Sequence, residues 1–204
     1  IFLDIVTENR KNSESEYETM ENNINENQII ILADRYEIED KTDTQILNQD
    51  YENVMKPFQC NIIEDFNYHT FEKKEFVFIS QNKWFKRIFT EWKDLHKSLP
   101  LHHDGSIFIR WSAESGKPQL FKILIFPSLS SPYGGGAYEF DMYIPADYPN
   151  TYPTIKFLTT GGGTVRFNPN LYNCGKVCLS LLGTWSGEKW NPEVSNIYQI
   201  CVSI

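Results

Sequence analysis

Residues 175–182 read GKVCLSLL and place Cys178 among apolar side chains, at the border of a long irregular stretch. That stretch, residues 161–192, is dense in Gly, Asn, Pro and Trp. A loop of this length inside a compact domain is usually functional or disordered. Its aromatic residues indicate an ordered loop that packs on itself; they are Phe167, Tyr172, Trp185 and Trp190.

The pattern around Cys178 supports two interpretations. A thiol held by an apolar segment at the edge of a loop suits a positioned nucleophile. A plain core cysteine is the alternative, because free cysteine is among the most buried residue types. The chain offers no obvious partner base, so a protease-like dyad is unsupported. A metal site is not expected either, since Cys174 and Cys178 lack a second ligand pair at finger-like spacing.

Composition and charge limit the class of protein to which the chain can belong. It has 204 residues, 41% hydrophobic and 15% aromatic, which indicates a globular protein of about one domain with an appendage. The net charge of −8 argues against general nucleic-acid binding. The longest aliphatic run, residues 29–33, is far too short for a membrane helix. A chain of this size needs no disulfides, so we expect its four cysteines to be reduced, in a cytoplasmic or nuclear protein.

The two halves of the chain differ in charge. Residues 1–80 carry 18 acidic and 7 basic side chains, whereas residues 81–204 carry 9 and 12. We therefore expect an acidic, partly ordered N-terminal extension over 1–80 and a second domain over 81–204. Within the extension, residues 28–33 suggest a buried strand, residues 11–27 an exposed and mobile segment, and the alternation of Phe76 and Phe78 a further strand.

The second half predicts an α+β layout. A helix over 82–98 follows from the apolar spacing of Trp84, Ile88, Trp92 and Leu95, with Asn82 as cap and Pro100 as stop. Strand-like runs at 106–111, 120–126, 137–144 and 155–158 have short connections, which favour an antiparallel meander. A second helix starts near Ile197 and the chain stops inside it. Because the first residue is Ile1, we expect a fragment that is cut at both ends.

These residues resemble the ubiquitin-conjugating enzymes, called E2 enzymes, over about residues 82–204. Seven pieces occur in the family's order and near its spacing: the helix over 82–98, Pro132-Tyr133-Gly134-Gly135-Gly136, Pro145-Ala146-Asp147-Tyr148-Pro149, Phe157 with Thr159, Asn168-Pro169-Asn170, residues 175–182, and Trp190-Asn191-Pro192. The likeness is greatest to the large hybrid E2/E3 enzymes of the giant inhibitor-of-apoptosis type, which share the run Arg166-Phe167-Asn168-Pro169-Asn170-Leu171-Tyr172-Asn173.

The resemblance implies the family's fold, a UBC domain truncated in its final helices, and its chemistry. Cys178 would accept ubiquitin or a ubiquitin-like protein from an ATP-dependent E1 enzyme as a thioester and pass it to a lysine of a protein substrate. Asn170 matches the family's oxyanion-stabilising asparagine, and a loop brace is the alternative role. Further loop-bracing residues are Asn168, Pro169, Tyr172 and Trp190. The helix presents Lys83, Lys86 and Arg87 to E1, and no cofactor, metal, nucleic acid or membrane is implied.

Three departures from the family pattern bear on function. Asn168 replaces the family's usual histidine, and the acidic residue that normally follows the cysteine is not evident, with Glu188 as a candidate replacement. Asn150 and Glu193 replace an aromatic and a small residue that dock conventional E3 ligases. These changes fit an enzyme that selects its own substrates. The competing hypothesis is a noncatalytic scaffold or binding module with the same fold.

Overall fold

The computed structural model describes residues 26–113 and 116–204, with the backbone alone for residues 26–42. The described residues fall into two compact units that are divided between Leu47 and Asn48. The second unit holds the sheet and the predicted site. No helix in the described part of the chain combines the length and hydrophobicity that a membrane span requires.

The described residues form three α-helices, six strands and one 3-10 helix. In chain order these are α1 (Glu26–Gln59), β1 (Cys60–Ile62), α2 (Gln81–Ser98), β2 (Leu101–His102), β3 (Gly105–Trp111), β4 (Leu120–Phe126), β5 (Tyr138–Tyr143), β6 (Thr154–Phe157), the 3-10 helix (Ser180–Leu182) and α3 (Ile197–Ser203).

The sheet confirms the predicted four-strand antiparallel meander, β3 to β6, and extends it. Its order is β1-β3-β4-β5-β6, with β1 parallel to β3 and the short β2 antiparallel to it. The register aligns Ile109, Ile123, Phe140 and Phe157 in one row across the four strands. All four side chains are at most 1% exposed, so this row is the centre of the core.

Helix α2 packs its apolar stripe on this core, as the spacing predicted. Trp84, Ile88, Trp92 and Leu95 are buried at intervals of four, four and three residues. The cap differs from the prediction: the N-cap residue is Ser80, without a side-chain hydrogen bond, rather than Asn82. At the other end Leu99 turns into extended backbone before Pro100, which confirms the predicted stop.

Residues 59–71 pack against the same sheet. The buried amide of Gln59 donates to the carbonyl oxygens of Leu99 at 2.9 Å and Pro100 at 3.0 Å. His69 Nε2 lies 2.9 Å from the carbonyl oxygen of Phe121, and the Thr70 N–H donates to Asp141 Oδ2 at 2.6 Å. This part of the predicted extension therefore belongs to the core of the second unit, while the predicted division at residue 80 stays a prediction.

Two predicted strands in the N-terminal region are wrong. Residues 28–33 lie inside α1, because a short apolar run by itself does not distinguish a helix from a strand. Phe76 and Phe78 lie in irregular backbone. Their rings pack edge-on against Trp84, with centroids 5.6 and 5.5 Å away, so the alternation reflects an aromatic cluster. Of the segment predicted as mobile, residues 11–25 lie outside the described residues.

Candidate active site

Cys178 lies on a short antiparallel ribbon within the irregular stretch. Leu171 and Val177 form an isolated antiparallel bridge. On one side of this bridge the Tyr172 N–H donates to the Lys176 carbonyl at 3.0 Å. On the other side of the bridge the Cys178 N–H donates to the Asn170 carbonyl at 2.9 Å. The ribbon therefore pairs Asn170 with Cys178 directly across from each other.

The two faces of this ribbon have different roles. Leu171 and Val177 are buried in the hydrophobic core, which anchors the ribbon. Because neighbouring residues in a strand alternate between faces, Asn170 and Cys178 project from the opposite face. The sequence prediction that apolar neighbours pin the cysteine backbone is confirmed for Val177 and Leu179, both of which belong to the core.

Thr184 is a site residue that the sequence analysis missed. Its hydroxyl accepts a hydrogen bond from the Leu179 N–H at 2.9 Å and lies 3.4 Å from the Val177 carbonyl oxygen. The two residues that flank Cys178 are thereby held by one side chain. The only sequence signal was a hydroxyl residue a few positions after an apolar segment, a pattern that also occurs in ordinary turns.

The Cys178 side chain is nearly enclosed, since the residue is 3% exposed. It is not paired with another cysteine: Cys60, Cys174, Cys178 and Cys201 are all free, and only Cys174 is exposed. A thiol in this position cannot take a protein-sized acyl group unless neighbouring atoms move. The sequence interpretation required a thiol open to solvent, and the structure instead presents a closed one.

Asn170 combines a backbone brace with an unused side chain. Its carbonyl accepts from the Cys178 N–H, as described above, which establishes the bracing contact. Its side-chain Oδ1 is buried without a hydrogen-bond partner among the described residues. A buried amide oxygen without a partner is unusual in a protein that uses the residue for packing alone. The oxyanion role predicted for this amide is untested.

The other predicted bracing residues occupy different positions in the loop. Asn168 accepts from the Leu171 N–H through its carbonyl at 2.9 Å, and the Pro169 carbonyl accepts from Arg166 at 2.9 Å. The Tyr172 carbonyl accepts from the Gly175 N–H at 2.9 Å. Trp190 connects the loop to the turn before β6, where its Nε1 donates to the Pro149 carbonyl at 2.7 Å.

The residues predicted to meet E1 lie on α2, but they are not equivalent. Lys83 and Lys86 are exposed and line a groove with Glu193. Arg87 is turned inward: its Nε donates to Glu91 Oε1 and its Nη2 to the Ser195 carbonyl at 2.7 Å. The carboxylate of Glu91 raises the pKa of Arg87 against the opposing effect of burial. Only the two lysines present free charge to a partner.

The family model described as ubiquitin-conjugating enzyme matches residues 88–204. The human dual E2 ubiquitin-conjugating enzyme/E3 ubiquitin-protein ligase BIRC6 is 48% identical over 122 residues, which are 58% of this chain and 2% of that protein. The probable ubiquitin-conjugating enzyme protein 17 of Caenorhabditis elegans is also 48% identical over 122 residues, 58% of this chain and 16% of its own.

A plant relative extends the alignment. The probable ubiquitin-conjugating enzyme E2 25 of Arabidopsis thaliana is 43% identical over 148 residues, which cover 71% of this chain and 23% of that protein. This chain thus corresponds to between 2% and 23% of the length of these three relatives.

Proposed function

Because this chain belongs to the ubiquitin-conjugating enzyme family and has its UBC fold, we propose that it accepts ubiquitin, or a ubiquitin-like protein, from E1 on Cys178 and transfers it to a lysine of a protein substrate. The observation that carries the proposal is the antiparallel pairing of Cys178 with Asn170. That pairing holds a nucleophile and an amide donor on one face of a ribbon that is anchored in the core.

The first step is a thioester exchange. The Cys178 thiolate attacks the carbonyl carbon of the E1–ubiquitin thioester, a bond forms from Cys178 Sγ to that carbon, and the E1 thiolate leaves. The thiolate is both a good nucleophile and a good leaving group, so the exchange needs no strong base beside the cysteine. In the second step a neutral lysine amine attacks the thioester, the Cys178 thiolate leaves, and the amine proton passes to solvent or a base.

Asn170 is proposed to stabilise the oxyanion of the second step. Its side-chain Oδ1 has no partner among the described residues, and the group proposed to donate to the oxyanion is the Nδ2 of the same amide. We expect Asn170→Ala to charge normally but to transfer ubiquitin to free lysine about 10²- to 10³-fold more slowly. Asn170→Ala keeps the backbone carbonyl that accepts from the Cys178 N–H. If charging and transfer fall by the same factor, the side chain supports the loop and does not act on the oxyanion.

The enclosed thiol adds a requirement to this mechanism. Cys178 is 3% exposed, so E1 must meet a state in which the atoms over the sulfur have moved. Residues 183–189 are exposed, and apart from the bonds of Thr184 and Gly183 the backbone of this stretch makes no hydrogen bond to other described residues. We propose that this stretch moves to open the site.

A charging assay tests the proposed function. The full chain is incubated with E1, ATP and ubiquitin, and the products are separated with and without reductant. We expect a reductant-sensitive band of chain plus ubiquitin that Cys178→Ala abolishes and Cys174→Ala retains. Cys178→Ser should form an oxyester that resists reductant, because oxygen esters do not exchange with thiols.

The same assay separates the two classes of function. Failure of the full chain to form any thioester, with an E1 that charges a known E2 in parallel, overturns the enzymatic proposal. The remaining hypothesis would then be a noncatalytic binding module, and the enclosed position of Cys178 favours that hypothesis. A reductant-sensitive band that persists in Cys178→Ala would show that another cysteine accepts ubiquitin.

We further propose that the enzyme acts as a hybrid E2/E3. Two observations support this extension: the identity to a dual E2/E3 enzyme, and the presence of Asn150 and Glu193 where E3-docking residues are expected. Lys83 and Lys86 are proposed to steer E1 by charge. A charged full chain that ubiquitinates a substrate without added E3 supports the extension, whereas strict dependence on an added RING or HECT ligase overturns it.

A further inference from the structure

Two cations lie over one aromatic ring beside the candidate site, and a third lies across from one of them on the neighbouring strand. The Arg166 guanidinium lies 4.2 Å from the centroid of the Tyr172 ring, and Lys176 Nζ lies 5.7 Å from the same centroid. Lys156, at the edge strand β6, is paired with Lys176 through an antiparallel bridge. We call Lys156, Arg166, Tyr172 and Lys176 the basic surface.

The cations of the basic surface are not neutralised within the described part of the chain. None of the three forms an ion pair there, although Lys117, Lys122 and Arg87 all do. Lys156 and Lys176 face each other across an isolated antiparallel bridge, and the Gly175 carbonyl next to Lys176 accepts a hydrogen bond from the Phe157 N–H at 2.9 Å. The three positive charges are therefore available to an anionic ligand.

The ribbon connects this surface to the proposed nucleophile. Tyr172 and Lys176 form the pair next to Asn170 and Cys178, two residues along each strand. Residues two apart in a strand share a face and lie about 7 Å apart. Tyr172 and Lys176 of the basic surface therefore lie on the same face of the ribbon as Cys178. Lys176, the cation nearest to Cys178 along the ribbon, is two residues away from it.

We propose that the basic surface binds acidic segments of substrate proteins and presents their lysine to the thioester on Cys178. The inference rests on the proposed function, since it names the class of substrate for that site. An extended peptide advances about 3.4 Å per residue, so a carboxylate on Lys176 fits an acceptor lysine about two to four residues away. The preferred substrate is a lysine with Asp or Glu in that interval.

A protein partner fits these observations better than a nucleic acid. The chain has a net charge of −8, which repels a long polyanion, and the basic surface offers only three cations. A nucleic-acid binding site typically makes about 6–10 phosphate contacts, and its affinity therefore falls steeply with added salt. A short acidic peptide needs only two or three.

Two measurements on the full chain test the proposal. The first is the affinity, by fluorescence anisotropy, for a peptide with one lysine flanked by glutamates, compared with the same peptide carrying glutamines. The second is the rate at which charged enzyme transfers ubiquitin to each peptide. We expect a preference for the acidic peptide of about fivefold in both, which decreases with added salt.

Variants assign that preference to the basic surface. The double substitution Lys156→Gln with Lys176→Gln should remove it, while thioester formation with E1 continues. Lys93→Gln with Lys97→Gln is the matched control, because it removes two exposed charges from α2 and should leave the preference unchanged.

The outcomes distinguish this inference from the proposed function. Equal binding of the acidic and neutral peptides overturns the inference, even if the enzyme charges normally. Selective binding that depends on Lys156 and Lys176, in a chain that never forms a thioester, supports the surface and overturns the proposed function. An oligonucleotide of equal charge that binds as tightly as the acidic peptide identifies a general anion site and overturns the assignment to acidic proteins.

Discussion

Thr184 controls the geometry of Cys178 through the backbone on both sides of it. The hydroxyl accepts from the Leu179 N–H, and its own proton can go to the carbonyl oxygen of Leu179 at 3.2 Å or of Val177 at 3.4 Å. The Thr184 N–H also donates to the Leu179 carbonyl at 3.2 Å. Thr184 is therefore a positioning residue, because it acts on the thiol through the peptide groups next to it.

We predict that Thr184→Val lowers the free energy of unfolding by about 1–2 kcal/mol, because the Leu179 N–H loses its acceptor in a partly buried position. Charging by E1 should slow as well, with the larger effect on the rate at saturating E1 rather than on E1 affinity. Thr184→Ser keeps the hydroxyl and should restore both quantities. Urea unfolding and single-turnover charging measure them; a valine variant that charges like the wild type would show that the contact is structural only.

A second residue-scale prediction concerns thiol accessibility. Cys174 is exposed and Cys178 is 3% exposed, although they are only four positions apart. Alkylation requires contact between the reagent and the thiolate. Iodoacetamide should therefore modify Cys174 about tenfold faster than Cys178, or more. Peptide mass spectrometry over a time course gives both rates. Equal rates would mean that the site is open in solution and that charging needs no movement.

At the scale of elements, a buried carboxylate joins α2 to α3. Glu91 is 6% exposed. Its Oε1 accepts from Arg87 and from the Tyr148 hydroxyl, the latter at 2.6 Å, and its Oε2 accepts from the Ile197 N–H at 2.8 Å. Burial and the adjacent carboxylate raise the pKa of Tyr148, so this hydroxyl remains a donor over the whole working pH range. One side chain thus fixes the start of α3 and the turn before β6.

We predict that Glu91→Ala lowers the free energy of unfolding by about 3 kcal/mol, since it leaves Arg87 and two further donors without their acceptor. Arg87 is 26% exposed along its side chain, so water compensates part of the loss. Glu91→Gln retains one acceptor oxygen and should lose less. Asp94→Ala is the matched control, because Asp94 is an exposed acidic residue on the same helix. Chemical denaturation of the four proteins gives the comparison, and equal stability of Glu91→Ala and Asp94→Ala would contradict it.

A buried histidine attaches the segment before α2 to the sheet. His69 Nε2 lies 2.9 Å from the Phe121 carbonyl oxygen and Nδ1 lies 3.2 Å from the Phe71 N–H. The first contact needs a proton on Nε2 and the second needs none on Nδ1, so the bonding pattern assigns the neutral ring. Burial is the main cause that lowers the pKa of His69 from its ordinary 6.5, and Lys122 adds to it; the Phe121 carbonyl, Asp141 and Glu72 act in the opposite direction.

The lowered pKa of His69 makes stability depend on pH. The unfolded chain binds a proton near pH 6.5 and the folded chain only at lower pH, so this contribution is complete above pH 6.5 and is lost as pH falls through the folded pKa. Within that window we expect the free energy of unfolding to fall by up to about 1.4 kcal/mol per pH unit. His69→Gln should remove this slope, whereas His96→Gln, at an exposed position, should keep it. Denaturation between pH 5 and 7.5 measures the slopes.

At the scale of the whole molecule, the sequence predicted the parts of the domain that follow a repeating pattern. The stripe of α2 was predicted from side-chain periodicity, and the strands β3 to β6 were predicted from apolar runs with short connections between them; both predictions were confirmed. The strand β1 and the packing of Gln59 and His69 depend on contacts between residues that are distant in the sequence, which no local pattern encodes. The Thr184 contacts are local, but the pattern that precedes them also occurs in ordinary turns. The motif likewise singled out Cys178 as a candidate but did not predict that this residue is only 3% exposed, because burial depends on the packing of the whole domain.

The final prediction concerns where the folding unit begins. Residues 48–204 form one compact unit, in which Cys60 pairs with Ile109 and the Gln59 amide holds the end of α2 against β3. We predict that the fragment 48–204 unfolds cooperatively, whereas 81–204 loses at least about 4 kcal/mol, because the parallel edge strand and several buried hydrogen bonds are removed.

A fragment that is insoluble gives no free energy, so a full-length variant supplies the second measurement. Gln59→Ala leaves the Leu99 carbonyl oxygen without its donor and removes one of the two donors to the Pro100 carbonyl oxygen, and Gln59 is 1% exposed. We expect a loss of about 1–3 kcal/mol by urea unfolding, against no change for the exposed Gln49→Ala. If Gln59→Ala and fragment 81–204 both match the intact chain, residues 48–80 are an appendage and the acidic extension does end at residue 80. If they do not, the UBC domain of this chain includes more than 30 residues that precede α2 and lie outside the family's matched segment, residues 88–204.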